Sequence, residues 1–152
     1  MEIVINFPLF IKYSLYSLFA LVIIVFVLII FWQLKRLLRR PELMGMDRQS
    51  IKRHWEEVEQ MIKKPGEMTD KLAILEADKL LDQVLKSMAM PGQTMGERLK
   101  VASYKYSELS KVWWAHKLRN QLVHEASFSI SHGNAKSAIR AYARALKQLG
   151  VL

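Results

Sequence analysis

The sequence predicts an all-α protein, in which one N-terminal transmembrane helix is followed by a cytoplasmic bundle of four to five helices. Three observations lead there. An uncharged apolar run fills residues 13–32. Beyond it, apolar side chains recur every three or four positions, and no stretch alternates with the period of two that a half-buried strand requires. Proline–glycine breaks and capping residues cut that pattern into helix-sized pieces. A chain of 152 residues has room for one domain and an anchor, and the absence of cysteine excludes a disulfide framework and thiolate metal sites.

The anchor reads YSLYSLFALVIIVFVLIIFW from Tyr13 to Trp32. A helix rises about 1.5 Å per residue, so about 20 residues cross the hydrocarbon core of a bilayer. A core helix of a soluble protein would carry a polar stripe, and this run has none. Tyr13, Tyr16 and Trp32 stand toward its ends, where aromatic rings favour the membrane interface. The basic sequence QLKRLLRR follows in place of a small-residue cleavage site, which favours a retained anchor over a signal peptide. The same cluster places the C-terminal side in the cytoplasm and suits a single pass through a prokaryotic plasma membrane. Residues 1–40 are thus the anchor and its basic juxtamembrane segment, 41–46 a linker opened by Pro41, and 47–152 the helical domain. Of the net charge of +9, Lys12, Lys35, Arg36, Arg39 and Arg40 against Glu2 put +4 in the first segment. The remainder is moderately basic, which points to an anionic neighbour such as lipid or nucleic acid.

Within the domain, Asp47 reads as the N-cap of a first helix to Lys63, with Ile51, Trp55, Val58 and Ile62 inward. KPGE breaks it. The second helix starts near Thr69 or Asp70 and reaches about Met88, with a wide apolar stripe of Leu72, Leu75, Ala77, Leu80, Leu81, Val84 and Leu85. After MPGQ, Thr94 and Glu97 fit a capping box that opens a short third helix from Met95 to Ala102. A fourth runs from Ser107 to Glu125, with Val112, Ala115, Leu118 and Leu122 toward the core. A loop over 127–134 leads to a fifth, Asn134 to Leu149, with Gly150 as its C-terminal glycine and Ile139, Tyr142, Ala143 and Leu146 inward.

The fourth helix carries HKLRNQLVHE, His116 to Glu125. His116, Asn120 and His124 share one helix face, and the long Arg119 side chain reaches toward it. These residue types suit a phosphodiester. Arginine offers a planar fork to phosphate oxygens, histidine exchanges protons near neutral pH, and asparagine orients either. The ribose 2′-hydroxyl is the nucleophile in RNA cleavage of this kind, so no metal or cofactor is expected. On spacing alone, a solvated helix face explains the same residues.

The segment LRNQLVHE resembles the motif of the HEPN superfamily, which is an arginine, a polar residue, three further residues and a histidine. Arg119, Asn120 and His124 match it one by one, and Leu118, Leu122 and Val123 resemble the flanks of its toxin branch. The similarity covers residues 47–152. It implies a helical homodimer whose motif helices meet across a two-fold axis, and in many members a metal-independent endoribonuclease. His124 would then be the general acid/base, Arg119 the phosphate clamp and Asn120 the orienting group, with His116, Lys117 and Trp113 binding substrate. Other members are non-catalytic scaffolds or binding modules. The resemblance implies RNA and an antitoxin-like protein as partners. One departure is Ala126, where part of the toxin branch has a tyrosine that is modified.

Four further features each admit two readings. His116, His124 and His132 are spaced by eight, but no carboxylate spacing completes a metal site. Trp113 and Trp114 suit base stacking, or an apolar interface with Trp113 the better placed. Glu76, Asp78 and Asp82 suit a cation or the orientation of the motif histidine, although a solvated face is the simpler account. The basic helix from Lys136 to Leu149 suits RNA or a membrane surface, and more simply a docked terminal helix.

Overall fold

The computed structural model describes residues 7–37, 42–125 and 127–152. The chain forms two compact units, divided between Arg39 and Arg40. The first is a single helix, α1 (Phe7–Leu37), in which Ile11–Gln33 is long and apolar enough to cross a membrane. Its described side chains are all exposed, so apolar surface lines the whole span. The side chains of the basic run from Lys35 to Arg40, and Pro41, lie outside the described residues.

The second unit holds α2 (Arg48–Lys63), α3 (Glu67–Ser87), α4 (Met95–Ser103), α5 (Ser107–Ser110), α6 (Trp113–His124) and α7 (His132–Gln148), with no strand among the described residues. α3 is central and touches α2, α4, α6 and α7. The start of α2 is as the sequence predicts. The Asp47 carboxylate accepts from the backbone N–H groups of Gln49 and Ser50, which holds its pKa below the usual carboxylate value. Ile51, Trp55, Val58 and Ile62 are all buried. The capping box of Thr94 and Glu97 is present. Residues of the 41–46 linker belong to this unit. The Met44 N–H donates to the Ser87 carbonyl at 2.7 Å, and Leu43 and Met46 pack against the core.

Three boundaries differ from the sequence reading. α3 begins at Glu67, directly after Gly66, and α7 begins at His132 because Ser131, not Asn134, caps it through its hydroxyl. The expected single helix from Ser107 to Glu125 is two. Lys111 and Val112 close tight turns back to Glu108 and Leu109. Gln148 of α7 accepts from the Glu108 N–H and donates to the Ser107 hydroxyl, so tertiary hydrogen bonds define the start of α5. Leu118 and Leu122 are only half-buried, and Val112, Ala115 and His116 make the buried edge. On α3, Leu72 is exposed and Asp78 is buried, against expectation.

α7 ends as expected at Gly150, whose φ is 70°. Its N–H donates to the Lys147 carbonyl and that of Val151 to Leu146, with both Val151 and Leu146 buried. α3 ends the same way with the wrong residue type. Ala89 stands at φ 53°, while its N–H donates to Lys86 and that of Met90 to Leu85. A Cβ in the left-handed region costs about 1–2 kcal/mol. Ala89→Gly is therefore expected to stabilise the domain by about 1 kcal/mol, less the entropy that glycine adds to the unfolded chain. Urea titration of the two proteins checks this, and a destabilised variant would refute it.

Candidate functional site

Asp78 sits midway along α3, 3 % exposed, where α3, α6 and α7 meet. A buried carboxylate must be hydrogen-bonded to remain charged. Its Oδ1 takes two donors, the His116 Nδ1–H at 2.8 Å and the Tyr142 hydroxyl at 2.9 Å. The Arg119 Nε stands 3.3 Å from Oδ2, close enough for charge attraction, yet its N–H is not aimed to make a hydrogen bond. α6 thus presents two successive polar positions to an acid on α3, while Leu118 and Leu122 pack against the core, half-buried.

The contacts continue on α6. Arg119 NH1 donates to the Asn120 Oδ1 at 3.2 Å, which leaves the Asn120 amide nitrogen facing the His116 Nε2 at 3.4 Å. A hydrogen-bonded chain results, from Arg119 to Asn120 to His116 to Asp78, and the charge of Asp78 faces Arg119 across 3.3 Å to close it. It determines the protonation pattern of the imidazole. Nδ1 carries the hydrogen because Asp78 can only accept, and Nε2 is left as an acceptor.

Tyr142 closes the ring from below. Burial pushes its hydroxyl pKa well above the ordinary value near 10, and the adjacent Asp78 charge adds to this while Arg119 opposes it. The folded chain keeps this proton at pH values where the unfolded chain loses it, so stability falls as pH rises above about 10. Tyr142→Phe is expected to cost about 1–2 kcal/mol near pH 7, since Asp78 loses a donor, and less as pH rises past about 10. Urea midpoints for both proteins across that range test the sign. A constant difference between them would contradict it.

On the outer side of the ring lies an open cavity of about 910 Å³ between α3, α4 and α6. Asp78, His116, Lys117, Arg119, Asn120, Trp113 and Trp114 line it, with Lys79, Asp82, Lys86, Gly96 and Arg98 on the facing walls. Five cationic side chains thus meet two carboxylates there. Arg98, almost fully buried, binds Asp82 at 2.7 Å and the Gly92 carbonyl at 2.6 Å, which holds the loop before α4 against α3. Gly92 is at φ 141°, and a Cβ there would stand 2.8 Å from the Arg98 backbone nitrogen, so the loop requires glycine. The two tryptophans are 39 % and 44 % exposed, with the Trp113 ring edge-on to that of His116 at 6.3 Å.

No family model, curated protein or solved structure matches the chain. The site therefore speaks through its own residues. Of those singled out from sequence, Trp113, His116, Lys117, Arg119 and Asn120 surround the cavity. His124 does not. It ends α6, is exposed, and its side chain makes no hydrogen bond among the described residues. The three histidines spaced by eight do not converge. His116 is bound to Asp78 and His132 to Asp70, and among the described residues no three metal-ligating side chains come together. Ala126 lies outside the described residues.

The sequence offered Glu76, Asp78 and Asp82 of α3 for a cation or for orienting the motif histidine, and the structure puts Asp78 on His116 in place of His124. The carboxylates of α3 partner three histidines from three helices, Glu76 with His54, Asp78 with His116 and Asp70 with His132. The available signal was the i, i+8 spacing of Asp70 and Asp78 among the apolar residues of α3. Two acids within a core stripe imply buried partners.

Proposed function

We propose that the chain is a single-pass plasma-membrane protein whose cytoplasmic HEPN-like domain binds single-stranded RNA in the cavity beside α6 and cleaves it without a metal. The observation that carries this reading is the cavity lining, in which cationic side chains outnumber carboxylates five to two and two half-exposed tryptophans stand at hand. Cations track a phosphate backbone, and aromatic faces stack bases of any sequence. Arg119 and Asn120 are on the wall to meet a scissile phosphate. His124 lies beyond it, and the homodimer that the sequence resemblance implies gives it a place, since α6 packed on the α6 of a second copy would join two motif sets in one composite site. The α1 span and the basic residues after it support the membrane and the orientation. An antitoxin-like partner would act by covering the same face.

A second reading has an observation of its own. Arg119, Asn120, His116 and Asp78 already bind one another, as a structural clamp between helices would. The domain would then be a non-catalytic, membrane-tethered scaffold or RNA-binding adaptor.

The test uses the full chain in detergent micelles with a labelled mixed-sequence single-stranded RNA in EDTA. Salt-sensitive binding followed by cleavage to 2′,3′-cyclic phosphate and 5′-hydroxyl ends is expected, with Trp114→Ala weakening binding by about 10-fold or more. Binding without cleavage would favour the adaptor, and no binding would leave the scaffold. Crosslinking across α6 reports the dimer.

A further inference from the structure

We infer that His116, held by Asp78, is the proton-accepting catalytic residue of the cavity, ahead of the motif histidine His124; this rests on the RNA-cleaving reading above. Three features of the geometry support it. The Nδ1–H of His116 is committed to a carboxylate that is itself buried, so the ring is fixed in orientation and Nε2 is its accepting nitrogen, met only by the Asn120 amide at 3.4 Å, a long contact that a substrate hydroxyl can replace. A carboxylate behind an imidazole also stabilises the imidazolium that forms when Nε2 takes a proton. Finally, the ring lines the cavity beside Gly96, where an added Cβ would rest in van der Waals contact with Nε2 at 3.8 Å.

The chain contains its own comparison. His132 binds Asp70 through Nδ1 at 2.8 Å in the same arrangement, but its Nε2 is buried without a partner and it lines no described cavity. The couple at Asp70 fastens the start of α7 to α3. The couple at Asp78 does the same for α6, and its histidine lines the cavity.

In the step so assigned, Nε2 takes the proton of a ribose 2′-hydroxyl as the 2′-oxygen bonds to phosphorus. The bond from phosphorus to the 5′-oxygen breaks, and the 5′-oxygen leaves with a proton from water. The imidazolium then returns its proton to solvent. Nothing is oxidised or reduced, and the ends are a 2′,3′-cyclic phosphate and a 5′-hydroxyl. Arg119 and Lys117 face the phosphate charge from the same helix.

The decisive experiment compares His116→Asn, His124→Asn and His132→Asn with the unaltered full chain, in micelles and EDTA, on the same RNA. An asparagine amide at 116 still donates to Asp78, so the clamp persists without a titrating nitrogen. Cleavage is expected to fall about 100- to 10,000-fold in His116→Asn, with RNA binding within about 3-fold of the unaltered chain, and to persist in His132→Asn. A second measurement needs no substitution. With 15N-labelled histidine, an uncleavable 2′-deoxy oligonucleotide should shift the Nε2 resonance of the cavity histidine and leave that of His132 in place. Undiminished cleavage by His116→Asn beside a silent His124→Asn would overturn the assignment and leave the RNA reading standing, as would a His116 Nε2 signal indifferent to the oligonucleotide. Binding without cleavage by the unaltered chain would overturn both.

Discussion

Asp78→Ala is expected to destabilise the helical domain by about 3–5 kcal/mol, a large part of the roughly 5–15 kcal/mol that holds a domain of this kind together. The cost comes from what is left behind. The carboxylate is the acceptor for the buried Tyr142 hydroxyl and for His116, and it faces the Arg119 guanidinium at 3.3 Å. Removing it strands two donors and one cation in a space with little water to replace it. It also unties His116 and Arg119 of α6 from α3, so the variant should loosen the cavity wall along with losing stability. Urea unfolding followed by far-UV circular dichroism and by tryptophan fluorescence reads both, because Trp113 and Trp114 report on α6. A loss under about 1 kcal/mol would mean that helix packing alone places α6.

The second large effect separates two leucines that look equivalent along α3. Leu81→Ala should cost about 2–5 kcal/mol, since Leu81 is fully buried and its removal leaves a void that close-packed neighbours fill poorly. Leu72→Ala should cost less than about 1 kcal/mol, because Leu72 is 42 % exposed. Both lie on the apolar stripe read from sequence. Equal losses in denaturant titration would contradict the observed rotation of α3.

That pair illustrates where reading the chain succeeds. The face of α2 is unambiguous, since Ile51, Trp55, Val58 and Ile62 step by three and four and nothing else on that helix competes for burial. The caps at Asp47 and Thr94 and the glycine at 150 are equally legible, because each satisfies helix-end groups within a few residues. α6 is the opposite case. Its apolar positions predict Leu118 and Leu122 as core, and the polar ones predict a solvated or catalytic face. The outcome depends on Asp78, about forty residues earlier in the chain, and no local rule pairs the two.

The sequence by itself therefore determines the class of this protein. A twenty-residue apolar run is long and apolar enough to cross a membrane, and local periodicity and capping make the remainder helical. It also assembles the residue types of the site, because Trp113, His116, Lys117, Arg119 and Asn120 lie within eight positions on one helix. Only the tertiary structure decides which histidine has a carboxylate behind it and a cavity before it. Burial of a charge is a property of all the helices around it, and α3, α6 and α7 together hold the Asp78–His116 couple while His124 remains in solvent.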